Sequence, residues 1–208
     1  AVNVLAIENI LETPFINRPT IIHISTDYVF DGEHGNYRET DTPNPRGNYA
    51  RSKMAAENIL NSAGFEYIIV RTQVLFGSGQ NVRPNFVTWL INNLREKKTV
   101  QVVNDQIGCP SYAPDVAEAL FRLLEKQAYG LFHVSSPDAL SRYDFALQVA
   151  HIFELDVSLI HETTTEKLKQ KSPRPMNSSF ILDKLFNNIN WQPRSVKEAL
   201  HHMKTEVE

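Results

Sequence analysis

Apolar residues follow two alternating rhythms along the chain. Short β-branched blocks at 20–25 (TIIHIS), 67–72 (YIIVRT), 100–103 and 131–134 predict strands. Spacings near 3.6 predict helices over 49–63, 86–94, 114–125 and 141–153, and another from near Ser195. Met54, Ala55, Ile59 and Leu60 form the stripe of the first helix, and Val116, Ala119, Leu120 and Leu123 that of the third. Gly64 is a C-terminal stop for the first helix, Pro84 enters the second near its first turn, and Ser141 caps the fourth. Strands alternating with helices are the mark of βαβ units, so the fold class is α/β with a parallel sheet. The blocks are nearly continuous in apolar character, which predicts strands covered on both faces, with His23 packed in or beside the first. Residues 1–6 read as the middle of a helix, and beyond Leu155 the pattern weakens.

Composition narrows the function. With 208 residues, 42% of them hydrophobic, the chain can build one sizeable core or a core plus a smaller lobe. A net charge of −3 with no basic run gives no support to capture of nucleic acid or an anionic membrane. No apolar stretch approaches the ~18 residues of a membrane span. A single cysteine, Cys109, forbids an internal disulfide, fits a reducing, cytoplasmic setting, and reads as a small residue packed in a Gly-Cys-Pro turn. No metal-ligand spacing is present.

The chemistry concentrates in Tyr49 and Lys53, a Tyr-x-x-x-Lys pair opening the first of these helices. Residues four apart share a helix face, so phenol and ammonium can meet at one point. An ammonium stabilises a phenolate, lowers its pKa towards neutrality, and can also hold a ribose hydroxyl. Taken alone, the spacing fits an exposed helix pair equally well. Upstream, at the carboxyl end of the first strand, stands STDYVFDG (25–32). Ligands of open α/β sheets sit beyond strand carboxyl ends, so Thr26 lies where a hydroxyl could hold a carbonyl oxygen while Tyr49 protonates it. That combination suits carbonyl reduction by hydride, in which the protein must supply the acid.

STDYVFDG, RETDTPNPRGNYARSKMAAE, RTQVLFG, VVNDQIGCPSYAPDVA and SPRPMNSSFILDKL occur in this order and span nearly the whole chain. The series resembles the dTDP-4-dehydrorhamnose reductase family of extended short-chain dehydrogenases. The resemblance implies a catalytic triad of Thr26, Tyr49 and Lys53, a nicotinamide cofactor (NADPH or NADH), a nucleotide-sugar substrate, and in some relatives a homodimer. It places Gln73 and Val74 at the nicotinamide end together with Tyr49 and Lys53, and Asp27 and Tyr28 at the sugar end. A turn cap for Asp27 and simple packing for Tyr28 are the plainer alternatives. Asn85 falls where relatives approach the substrate diphosphate, or is a helix-end polar residue. Arg174 either pairs with phosphate oxygens or is a solvated charge.

The expected architecture is a doubly wound, Rossmann-like sheet, incomplete at its N-terminus, with a smaller C-terminal substrate lobe. Residues 1–76 would finish the dinucleotide-binding domain, and 77–208 would form mainly the lobe, with segments around 100–134 returning to the main domain. No glycine-rich dinucleotide fingerprint occurs, so roughly 80–90 residues carrying the pyrophosphate cradle are expected ahead of Ala1. Most relatives carry Trp after the Arg-Thr pair where this chain has Gln73-Val74, which opens the choice of substrate. Two alternatives follow: a nucleotide-sugar epimerase or dehydratase of the same superfamily, and a non-catalytic subunit resembling the β subunit of methionine adenosyltransferase.

Overall fold

The computed structural model describes residues 2–79, 83–170 and 172–207. In chain order its elements are α1 (Val2–Glu12), β1 (Ile21–Thr26), α2 (Asn48–Ser62), β2 (Tyr67–Thr72), β3 (Leu75–Phe76), α3 (Phe86–Arg95), β4 (Val100–Val103), β5 (Ile107–Gly108) and β6 (Ser111–Tyr112). There follow α4 (Ala113–Glu125), β7 (Gly130–His133), β8 (Leu140–Ser141), α5 (Arg142–Ile152), β9 (Ile160–Thr163), α6 (Thr165–Leu168), α7 (Asp183–Ile189) and α8 (Val196–Val207). None of the helices described is long and apolar enough to cross a membrane.

A parallel three-stranded sheet in the order β1-β2-β7 organises the site. One face takes α1 and α2, where Ile7, Ile21, Ala56, Leu60 and Ile69 pack together. On the other face α4 and α7 cover β2 and β7, burying Ile68, Val70, Ala119, Leu123, Phe132 and Leu185. Each such side chain withdrawn from water contributes about 1.5–3 kcal/mol. The cover stops short of β1: Ile22 and Ile24, the register partners of Ile68 and Val70, remain 39% and 40% exposed. The expectation of two-faced burial thus holds for β2 and fails for β1, because among the described residues no helix lies over that half of the face.

The first helix forms close to where its spacing placed it, and Gly64 at φ +69° follows its end. The buried positions of α2 meet the expected stripe at Leu60, while Ile59 and Met54 pack partly buried against the core. The buried positions are Ala50, Ala56, Glu57 and Leu60, and the carboxylate among them is matched by a buried guanidinium, Arg71. Pro84 precedes the cap of α3 instead of entering its first turn; Asn85 is the N-cap.

A second core joins α3, α5 and α8 through Leu90, Leu94, Phe145, Val149, Leu200 and Met203. Strand β4 pairs in parallel with β9 outside the main sheet, so the chain returns to that sheet through α4 and β7 and not through residues 100–103. Strand β5 pairs with β8, and the segment after α6 is pinned to the loop that follows β1. There the Asn177 N–H donates to the Gly32 carbonyl at 3.0 Å. Gly32 (φ +81°) and Gly35 (φ +69°) face Pro175 and Asn177 so closely that a Cβ at either position would collide with them.

Candidate active site

Strand β1 ends at Thr26, where the chain turns into a single 3-10 turn, Asp27–Val29. Thr26 is the cap of that turn: its Oγ1 accepts from the Tyr28 N–H at 3.3 Å and donates to Asp27 Oδ1 at 3.1 Å. Opposite, the first turn of α2 presents Tyr49, half exposed, its ring edge-on to Tyr28 with centroids 6.3 Å apart. Thr26, Asp27, Tyr28 and Tyr49 line a cleft of about 380 Å³ at the carboxyl ends of β1 and β2, together with Thr72, Gln73, Val74 and Arg142. The sequence reading brought most of these residues to one place, and the fold does the same.

Lys53 is one turn beyond Tyr49 on α2. Its Nζ donates to the Ile24 carbonyl at 3.0 Å, on β1. The Tyr49 phenol is held above its ordinary pKa by burial and by the charges of Asp27 and Tyr28, and hydrogen bonding to Thr26 pulls it down. Lys53 is not among these influences, and its ammonium is turned to the strand. The same burial lowers the pKa of Lys53.

Gln73 is a nearly buried part of the cleft wall, 2% exposed. Its Nε2 donates to the Ser178 carbonyl at 3.1 Å and its Oε1 accepts from the Cys109 N–H at 2.8 Å, so the amide ties β2 to two distant segments. Val74 belongs to the same wall, with φ at +44°, a backbone region that β-branched residues rarely enter. Asn85 stands apart from the cleft. Its Oδ1 accepts from the Val87 and Thr88 N–H groups and caps the helix, while its Nδ2 donates to the Gly77 carbonyl and ties the cap to the segment after β3. Cys109 is buried, as a packed small residue should be.

Arg174 reaches the site from the far end of the chain. Its Nη1 donates to the Tyr28 hydroxyl at 2.5 Å and its guanidinium lies over the Tyr28 ring. It borders a second cleft, of about 540 Å³, shared by Tyr28, Arg46, Tyr49 and residues 172–175. The Tyr28–Tyr49 pair therefore separates a cleft at the strand ends from one edged by two arginines. Arg46 is bound to Glu33 at 2.5 Å, which leaves Arg174 as the less committed cation of this cleft.

Asp27 is fully buried, and burial pushes its carboxyl up to about 6 against the hydrogen bonds of Ser178 and Thr26 and the charge of Arg142. Ser178 Oγ donates to Asp27 Oδ2 at 2.6 Å.

Three residues of the site escaped the sequence reading. Arg142 opens α5 and lines the cleft beside Asp27 and Tyr28. A cation in the first turn of a helix opposes the helix dipole, which was a readable sign that something other than the helix holds it there. Thr72 Oγ1 is buried without a hydrogen-bond partner on the cleft wall. Ser178 carries no signal of its own in sequence. No group of three His, Cys, Asp or Glu side chains able to hold a metal occurs among the described residues.

Comparison with known proteins agrees with this geometry. The dTDP-4-dehydrorhamnose reductase of Aggregatibacter actinomycetemcomitans is 33% identical over 100% of this chain and 74% of its own length. A dTDP-4-dehydrorhamnose reductase of Bacillus anthracis, solved in complex with NADP, superposes with a TM-score of 0.91 at 31% identity, covering 98% of this chain and 72% of its own. The methionine adenosyltransferase 2 subunit beta of Xenopus tropicalis is 29% identical over 88% of this chain and 56% of its length. The family described as RmlD substrate binding domain matches residues 1–208. With the site assembled at the strand ends and the match running from end to end, the chain belongs to the RmlD substrate binding domain family.

Proposed function

We propose that this chain supplies the proton-donating and substrate-holding part of a nicotinamide-dependent reductase acting on the 4-keto group of a nucleotide-linked deoxysugar of the dTDP-4-dehydrorhamnose type. The observation that carries the reading is the meeting of the Tyr49 phenol and the Thr26 hydroxyl in one cleft at the carboxyl ends of β1 and β2. A ketone that accepts hydride develops alkoxide charge, and a phenol beside a hydroxyl can hold that oxygen and protonate it.

The cleft fits the nicotinamide end of a cofactor by one structural test: the buried, unpartnered Thr72 Oγ1 on its wall has a hydrogen bond to give or accept. NADPH or NADH, when bound, supplies the hydride. Thr72, Val74 and Lys53 would hold that end of it, with Gln73 bracing the wall through Ser178 and Cys109. Tyr49 donates the proton, Thr26 steadies the reacting oxygen, and Asp27 and Tyr28 border the sugar. Arg174 would meet the phosphates of the nucleotide in the second cleft, while Asn85, tied into its cap, belongs to the scaffold.

A second reading, a non-catalytic subunit on the same fold, draws on the likeness to the methionine adenosyltransferase β subunit. One assay separates the two. Full-length protein is mixed with NADPH or NADH and dTDP-4-dehydrorhamnose, and the absorbance of the reduced cofactor is followed. Oxidation that disappears in Tyr49→Phe supports the reductase. Cofactor binding without oxidation supports the subunit.

A further inference from the structure

The Thr26 hydroxyl has one proton, a carboxylate oxygen bonded to it and the Tyr49 phenol sharing its cleft. It donates to Asp27 Oδ1 at 3.1 Å, yet lowering the pKa of Tyr49 requires that it donate to the phenolate. The two donations exclude each other. The other carboxyl oxygen of Asp27 is fixed by Ser178 Oγ at 2.6 Å, and the group is 4% exposed, so solvent does not arbitrate.

We propose that Asp27 is a positioning residue that sets the direction of the Thr26 hydrogen bond: as carboxylate it draws the hydroxyl proton away from the reacting oxygen, and as carboxylic acid it returns it. In the carboxylate state Thr26 is an acceptor, able to take the Tyr49 O–H but unable to donate to a ketone. In the acid state the carboxyl O–H donates to Thr26 Oγ1, and the threonine proton turns towards Tyr49 and the cleft. The proposal rests on the reductase reading for its meaning in catalysis, but the hydrogen-bond reversal itself does not.

Both states are accessible near neutral pH, because burial lifts Asp27 to about 6. The titratable and charged groups around it are Tyr49 on α2, Tyr28 on its own turn, Cys109 after β5, Arg142 on α5, and Arg174 beside the same small cavity. Burial raises Tyr49 and Cys109, which keeps both uncharged at that pH. Arg142 is then the cation that acts on Asp27, with Arg174 beyond it.

The test reads Tyr49 without cofactor or substrate. Protein labelled with carbon-13 at the tyrosine ring carbon bearing oxygen is titrated by NMR, with the Tyr49 signal assigned by its loss in Tyr49→Phe. The expected result is an inflection at pH about 6 in the wild type. It is absent in Asp27→Asn and in Thr26→Val. Ser178→Ala, which removes a hydrogen bond favouring the carboxylate, moves it to higher pH. A Tyr49 signal flat across that range, or an inflection that survives Asp27→Asn, overturns the proposal. If Asp27→Asn does not fold, the Ser178→Ala displacement decides it, and an unmoved inflection refutes it. In the reductase assay kcat should fall as pH rises through the same inflection, and Asp27→Asn should flatten that limb. An NMR inflection in a protein that reduces no ketone would sink the reductase reading and leave the hydrogen-bond reversal standing.

Discussion

Arg71 Nη2 lies 2.6 Å from Glu57 Oε2, and its Nε lies 3.1 Å from Glu57 Oε1, with both side chains almost wholly withdrawn from solvent. Ser25 Oγ donates to the same carboxylate. One buried carboxylate thus ties α2 to both β1 and β2. Glu57 is one turn past Lys53 and two past Tyr49, while Ser25 adjoins Thr26. The pair therefore sets the register in which the phenol meets the strand end.

Removing one member of a buried ion pair leaves the other charge uncompensated. Glu57→Ala should lower unfolding free energy by about 3–5 kcal/mol in urea titration. A loss well under 1 kcal/mol would mean that Arg71 finds another partner.

Tyr49→Phe should reduce turnover by roughly 10²–10⁴-fold. Cofactor affinity, measured by quenching of protein fluorescence, should stay within a few fold. Lys53→Ala should weaken cofactor binding as well as rate. If cofactor affinity is unchanged, the ammonium does no more than anchor α2 to the Ile24 carbonyl.

Asp27 also makes stability depend on pH. Its pKa rises on folding from 3.8 to about 6, so its contribution is fully present below 3.8 and is lost as pH climbs through about 6. The shift corresponds to about 3 kcal/mol. Asp27→Asn, which keeps a partner for both Thr26 and Ser178, escapes that loss. Its stability relative to wild type should grow between pH 4 and pH 7 in parallel denaturation curves; a difference independent of pH would contradict the assignment.

Asp31 should act in the opposite sense. Hydrogen bonds from Tyr37 and Asn44 lower its pKa to about 2, so its contribution is present above 3.8 and fades as pH falls towards 2. Asp31→Asn should lose most of its destabilising effect in strong acid, as seen in thermal melts. An effect as large at pH 2 as at pH 7 would exclude this origin.

Asn85→Ala should cost about 1 kcal/mol through loss of the α3 cap. Thr88, the other half of the capping box, should show a partly non-additive loss in the double mutant.

The β1-α2-β2 unit was legible because its signals are local: β-branched runs, a 3.6-residue spacing, a terminal glycine, and Thr26 at a strand end. What stayed hidden depends on partners far away in the chain. Glu57 looks like an ordinary helix-surface acid until Arg71 is folded against it. Ile22 and Ile24 belong to an apolar run, and only the extent of α4 and α7 decides that they stay partly exposed. Strand β9 and helix α7 are short and owe their form to β4 and β7. The spacing of Lys53 fixes a face of the helix but not which acceptor on β1 the ammonium chooses.

Gly32 and Gly35 carry no functional group and line neither cleft, yet the close seating of residues 175–177 on them leads directly to where Arg174 rests on Tyr28. The resting place of that arginine is thus partly written in the absence of side chains more than 135 residues upstream. Changing only the residues that line the second cleft would leave these two glycines untouched, yet a single methyl at either should displace the segment that carries the arginine.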